Sequence, residues 1–366
     1  VGGPVEELPW QGVDLADLDA PEVRVEAVDV QQVLVGAAFD DHLVVEDDDL
    51  GVAQDGPDDG EALALSTLFS RRTHFVPSSR LRSVERNPFA NTSPTTAMTL
   101  ADREWRLVRE EAREGPLNMA LDEVAAETAA AEGTCTARIY RWKPSTLSLG
   151  YHQDPATIDW DFCEREGITV TRRPTGGGAI YHDSWGDISY SVVAPAEDLP
   201  GDLIDSYEIL CEPLFDALAS LGIDADFADE ERPAIYEPAC YLRAVHPAHD
   251  VVAGGRKLSG NAQYRQRDAV VQHGSLTFER TTDRHLACFA DPDATPADFD
   301  ERVTSVREQV DVTRAETVDA LEAALTDWSG AYEGNWREAE LDRARARVDE
   351  KFATDVWTHD GTDPVA

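Results

Sequence analysis

From Met98 onward the apolar residues of this chain fall into short runs of strand-like and helix-like period, never in the repeated βα order that a doubly wound parallel sheet requires. The pattern predicts an α+β domain. Residues 117–131 read as a helix, TARIYRW and STLSLG as strands, and 158–166 as a short helix. GITVTRRP then runs into a glycine turn that feeds two further strands, AIYHD and DISYSVVAP. Residues 203–221 carry the clearest amphipathic period, and Gly222 stands where a helix C-cap belongs. A hairpin follows, with VVAGGRKLSGNAQYRQ and AVVQHGSLTF as its arms; helices over 315–328 and 337–352 then precede an acidic tail, 358–366.

Residues 1–97 look different. They hold no lysine or methionine, contain stretches such as VVEDDDLGVAQDGPDDGEALA, and show no sustained period. They read either as a disordered, solvated extension or as the product of a start codon placed too far upstream, with the folded domain spanning 98–357. A chain beginning at Met98 is therefore expected to fold.

The 72 acidic residues against 32 Lys plus Arg give a formal net charge of -40, which argues against a nucleic-acid partner. With 42% hydrophobic residues, that acidity belongs to the surface of a packed globule. The only lysines are Lys143, Lys257 and Lys351, and this acidic, lysine-poor composition is similar to that of proteins from salt-loving organisms, where screening weakens self-repulsion. The five cysteines, Cys135, Cys163, Cys211, Cys240 and Cys288, are odd in number and include no C-x-x-C pair, so reduced thiols are the simplest reading. No run of 18 apolar residues and no signal-peptide pattern is present; the expected location is the cytoplasm, with no membrane partner.

Two segments carry chemistry. In RRPTGGGAIYHD, residues 172–183, three glycines free the backbone to bring its N–H groups against an anion, whereas a plain turn would need neither the paired Arg172 and Arg173 nor the His182–Asp183 step. It is not a P-loop, lacking the G-x-x-x-x-G-K-[ST] spacing. In GGRKLSGNAQ, residues 254–263, an arginine-using chain keeps Lys257 among glycines; a compact ammonium reaches a carboxyl or phosphoryl oxygen where a guanidinium fork does not fit. Read as a solvent-facing cation, Lys257 is expected to matter for activity and little for folding. His246, His249 and Asp250 flank Pro247 in a loop and are not expected to hold zinc. Trp142, Trp160 and Trp185 read as core or pocket-wall aromatics.

Taken in order, RRPTGGGAIYHD, the GD of SWGDISYSVVAP, GGRKLSGNAQ, QHGSLTF and DEKFATDVW resemble the motifs of lipoate-protein ligases and their octanoyltransferase relatives, over residues 98–357. The resemblance implies an α+β catalytic domain like that of biotin ligases, with a mixed, largely antiparallel sheet flanked by helices. In its ligase members ATP activates lipoate as an acyl-adenylate, and a lysine of a lipoyl domain then attacks. By that resemblance Arg172, Arg173, Gly176, Gly177, Gly178, His182, Asp187 and Gly260 are expected to contact acyl chain and adenylate, with Asp187 assisting Mg2+. Lys257 is expected to touch the carbonyl and phosphate oxygens.

The leading expectation is an ATP-dependent ligase attaching lipoate or octanoate, because GGGAIYHD followed by GD looks ligase-like. The alternative is an ATP-independent octanoyl or lipoyl transferase in which Cys240, in the EPAC context of a transferase branch, carries the acyl group as a thioester. A buried structural cysteine is the plain reading of the same residue. The expected partners are lipoyl domains of 2-oxoacid dehydrogenase E2 subunits and the glycine cleavage H protein, together with a separate accessory subunit, since little chain follows Trp357. A biotin ligase would show a G-R-G-R-x-G-type loop, and a non-catalytic lipoate-binding protein would have lost Lys257.

Overall fold

The computed structural model describes residues 99–365 apart from positions 248 and 267, so the expectations for residues 1–97 lie outside the described residues. Strands β1 (Trp105–Arg113), β2 (Cys135–Trp142), β6 (Asp187–Pro195), β7 (Ala225–Phe227), β8 (Asp250–Ala253), β9 (Arg256–Gln266), β10 (Ala269–Thr277) and β11 (Tyr332–Gly334) make one sheet in the order β11-β1-β2-β6-β10-β9-β8-β7. Only the β1–β11 and β1–β2 pairings are parallel; the other pairings are antiparallel. A smaller sheet joins β3 (Thr146–Leu149) in parallel to β4 (Thr169–Arg172) and antiparallel to β5 (Ile180–His182). The long helices are α1 (Gly115–Glu132), α2 (Leu203–Ser220), α3 (Arg314–Ser329) and α4 (Glu338–Arg347). This is the mixed, helix-flanked α+β architecture expected from the sequence.

Every residue of β6 is buried, although DISYSVVAP sets polar residues at 187, 189 and 191 between apolar ones. Its alternate residues serve two cores. Ile188, Tyr190, Val192 and Ala194 pack with α2 and α3, through residues such as Leu214 and Leu321, while Val193 faces α1. Each such Leu or Val contributes about 1.5–3 kcal/mol by leaving water. Helix α2 ends as its sequence suggests: Gly222 follows it with φ 82°, a conformation glycine adopts freely.

Three readings change. The expected hairpin is a three-stranded meander, because Gly254 and Gly255, at φ 56° and 74°, reverse the chain inside its first arm and split it into β8 and β9. The helix expected over 337–352 stops at Arg347 and passes through a widened turn, Val348–Phe352. The segment read as an acidic tail is clasped to the domain. The Arg172 guanidinium, 1% exposed, donates to the carbonyls of Gly150, Tyr151 and Gln153 at 2.7–2.9 Å and to those of Trp357 and Thr358 at 2.9–3.2 Å. Trp357 Nε1 returns a bond to the Arg172 carbonyl at 2.7 Å, His359 stacks on Trp160, and Asp363 pairs with Lys351 at 2.6 Å. Removing that clasp leaves buried carbonyls without donors. Arg172→Ala is expected to destabilise the protein by on the order of 3 kcal/mol, read as a lower urea midpoint at unchanged slope.

Candidate active site

Paired residues of antiparallel strands point to the same side of a sheet, and here that rule gathers polar groups on one face. Asp187, Ser189 and Ser191 of β6 lie opposite Thr277, Ser275 and His273 of β10, and Ser275 lies opposite Gly260 of β9, which in turn faces Asp250 of β8. The opposite face carries the apolar Ile188, Tyr190, Leu276 and Leu258. The small sheet and the loop between β4 and β5 bond to the polar face: His182 to Asp187, and Thr175 Oγ1 to His273 Nε2 at 2.8 Å.

Asp187 is where several donor chains end. Its Oδ2 accepts from His182 Nδ1 at 2.6 Å and from Ser189 Oγ at 2.8 Å, and its Oδ1 from Ser275 Oγ at 2.7 Å. Because a carboxylate only accepts, the His182 proton sits on Nδ1 and its Nε2 accepts from Ser148 Oγ at 2.9 Å. Burial lowers the His182 pKa against the opposing pull of Asp187, so the ring stays neutral, stacked on Trp142 at 4.1 Å. On the other side Thr277 donates to Tyr241 Oη at 2.8 Å, and that hydroxyl lies 3.2 Å from Ser275 Oγ. Asp187 thus orders both the glycine-loop strand and the residue after Cys240. Its oxygens are taken by side-chain donors, which does not fit the expected Mg2+ role.

The glycine turn is stapled from behind. Arg173, 5% exposed, donates to the carbonyls of Gly176 and Gly178 at 2.7 Å and of Ser148 at 2.8 Å, and burial lowers its pKa to about 10. The Arg172 guanidinium is engaged by main-chain carbonyls and that of Arg173 by carbonyls and the Thr175 hydroxyl, an arrangement that does not match the expectation of contact with acyl chain or adenylate. His182 likewise has both ring nitrogens engaged, by Ser148 and Asp187. Gly177 lies between the two carbonyls that Arg173 holds. At Gly178 a methyl group would sit 2.7 Å from the Pro238 carbonyl oxygen and 2.9 Å from the Cys240 nitrogen, so only glycine permits the turn and the Cys240 segment to meet. They are joined by Ala179 N to Pro238 O at 2.7 Å and Cys240 N to Ala179 O at 2.8 Å.

Lys257 reaches this place through a β-bulge. Val251 pairs with Ser259 but Val252 with Lys257, so Leu258 is an extra residue. Residues three apart point to opposite faces of a regular strand; with the bulge, Lys257 shares the face of Gly260 while Leu258 stays in the apolar core. A methyl group at Gly260 would lie 3.6 Å from Lys257 Nζ and 3.8 Å from Cys240 Sγ, so the thiol and ammonium flank one bare patch of backbone. Lys257 is not solvent-facing as expected: it is 3% exposed, 2.8 Å from Asp250 Oδ1, and donates to the Cys240 carbonyl at 3.2 Å. Burial alone would lower its pKa, but Asp250 and Cys240 outweigh burial and hold it above the usual lysine value.

Cys240 is half-buried, whereas the other four cysteines are buried. Burial pushes the Cys135 and Cys211 thiols up to about 12, far from nucleophilic range. Sequence reading found Lys257, Cys240 and the glycine turn but missed Ser148, Thr175, Tyr241 and the pairing role of Asp250. One signal was available: two otherwise buried strands carry polar residues at every second position, at 187, 189 and 191 and at 273, 275 and 277.

Among the described residues no helix is long and apolar enough to cross a membrane. Residues 114–326 match the model of the lipoyl protein ligase A/B catalytic domain. An octanoyltransferase LipM of Symbiobacterium thermophilum is 32% identical over 270 residues, covering 69% of this chain and 97% of that protein. The octanoyltransferase LipM of Bacillus subtilis is 27% identical over 275 residues, covering 70% and 98%. Among solved structures, lipoate-protein ligase A bound with ATP superposes with a TM-score of 0.60 at 27% identity, covering 71% of this chain and 100% of that one. A bi-partite lipoate protein ligase from Thermoplasma acidophilum gives 0.60 at 26%, covering 71% and 98%. The motifs, the sheet and these similarities agree, and the chain belongs to the lipoyl protein ligase A/B catalytic-domain family.

Proposed function

We propose that this protein transfers an octanoyl group from a thioester donor to a lysine of a lipoyl domain through a thioester on Cys240. The observation that carries the proposal is the half-buried Cys240 thiol set beside the Lys257 ammonium over Gly260. The relatives named octanoyltransferase LipM support it over the ATP-dependent ligase that the GGGAIYHD motif favoured. In the first step the Cys240 sulfur, having lost its proton, bonds to the donor's carbonyl carbon; the donor's C–S bond breaks and its thiolate takes up a proton. In the second, the neutral amine of the target lysine attacks, an amide bond forms, and the Cys240 thiolate leaves and regains a proton. Lys257 lies where negative charge on the attacked carbonyl oxygen is stabilised in both steps.

The similarity to lipoate-protein ligase A bound with ATP favours a second reading, in which ATP activates free lipoate or octanoate. One experiment separates the two. Incubated with an octanoyl thioester and no ATP, the protein is expected to gain one octanoyl mass on Cys240, removable by hydroxylamine and passed on to a lipoyl domain. Transfer from free octanoate only with ATP, with pyrophosphate release and no adduct on Cys240, would return the assignment to the ligase. The lipoyl domain in the assay comes from an E2 subunit or an H protein, and unaided transfer would make an accessory subunit unnecessary.

A further inference from the structure

Resting on the transfer reading, we propose that Asp250 is a positioning residue that fixes Lys257 as an ammonium against Gly260 beside Cys240, so that Lys257 works as a constant cation and never as a proton acceptor. The geometry is specific. Asp250 is 1% exposed, its Oδ1 is 2.8 Å from Lys257 Nζ, and its Oδ2 accepts the backbone N–H of His246 at 3.0 Å. The β-bulge at Leu258 sets Lys257 on the side of the sheet that carries Asp250 and Gly260. Without its carboxylate neighbour, a lysine this deeply buried would favour the neutral amine.

Other charged and titratable groups face the pair from the packed elements. His249 Nδ1 lies 3.4 Å from Asp250 Oδ1; Cys240 and Tyr241 approach from the segment after Pro238, with the Tyr241 ring 5.6 Å from Lys257 Nζ. Arg302, from the helix Pro296–Arg302, opposes the lysine charge, and its guanidinium is committed to the carbonyls of Arg243 and Pro233. Among the described residues, Asp250 is the carboxylate in contact with Lys257.

The test uses the three-lysine composition of the chain. Protein labelled with 13C at lysine Cε gives one signal each for Lys143, Lys257 and Lys351, assigned with Lys143→Arg and Lys351→Arg. In the wild type the Lys257 signal is expected to stay that of an ammonium past the point at which an ordinary lysine side chain titrates. In Asp250→Asn it should titrate at least about one unit lower than in the wild type. In the same variant kcat should fall on the order of tenfold to a hundredfold and acquire an alkaline limb, lost as pH rises through the lowered lysine pKa, while KM for the lipoyl domain stays constant. If Asp250→Asn does not fold, Asp250→Asn/Lys257→Met, which replaces the pair by neutral groups of similar shape, is expected to fold and remain inactive. An unmoved Lys257 titration in Asp250→Asn, an unchanged kcat profile, or an active double variant would each overturn the proposal. Octanoylation of wild-type Cys240 is read separately by mass, so failure of the transfer reading is distinguishable from failure of the Asp250 role.

Discussion

Replacing Cys240 by serine is expected to lower octanoyl transfer by on the order of a thousandfold or more while leaving the melting temperature almost unchanged. The oxygen occupies nearly the volume of the sulfur, and the residue is half-buried, so packing is little disturbed. The hydroxyl is the difficulty. A serine nucleophile needs a neighbouring base, and the nearest cationic side chain, Lys257, is protonated and pinned to Asp250 at 2.8 Å. Histidines of the site face other partners, His182 between Ser148 and Asp187, His273 against Thr175 and His249 beside Asp250. Single-turnover rates with an octanoyl thioester, beside thermal melts, measure the effect. Full retention of transfer would place Cys240 among the packing residues.

Lys257→Ala is expected to abolish transfer and also to cost about 3–5 kcal/mol of stability, because it strands a buried carboxylate. A solvent-facing cation would give the first effect without the second. Acidity distinguishes them further. In the wild type, burial raises the Asp250 pKa but Lys257 and His249 outweigh it and hold the carboxyl well below its usual value. The pair therefore stabilises the fold above the unfolded carboxylate pKa, and that contribution is lost as pH falls through the folded one. With Lys257 removed, burial favours the protonated acid, and the stability difference between variant and wild type should shrink below about pH 5. Urea titrations across pH measure this directly. Lys257→Arg keeps the charge but offers a planar fork to a site shaped for a compact ammonium, and it should remain inactive.

Much of the domain was legible because its elements obey local rules. The run DISYSVVAP and the helix ending at Gly222 appear where apolar period and capping place them. Strand β1 gives no such signal: WRLVREEAR is rich in helix-favouring Arg, Glu and Ala, and it becomes a strand through pairing with β2 and β11. At the site, residue type and spacing revealed the glycine turn, Lys257 and Cys240. The roles of Arg172 and Arg173 were not legible, since an arginine that binds a ligand and one that staples carbonyls look alike in a sequence. Asp250 was hidden for a different reason. Its partnership with Lys257 depends on a one-residue bulge, and a bulge leaves no mark in hydrophobic period.

An enzyme that makes amides of lysine side chains carries a risk of modifying itself, most acutely at an amine held next to its own acyl thioester. The ion pairs of this fold bear on that risk. Lys257 is engaged by Asp250, whose carboxylate favours its protonated form, and Lys351 is buried in ion pairs with Glu123 and Asp363 at 3.2 and 2.6 Å. A protonated amine has no lone pair with which to attack a thioester. Lys143 is the exposed lysine of the described residues, and it sits at the mouth of the β2–β3 turn rather than over Gly260. On the transfer reading, the scarcity of lysine and the pairing of those kept near carboxylates amount to chemical selectivity: the free amine at the thioester is the one an incoming protein brings.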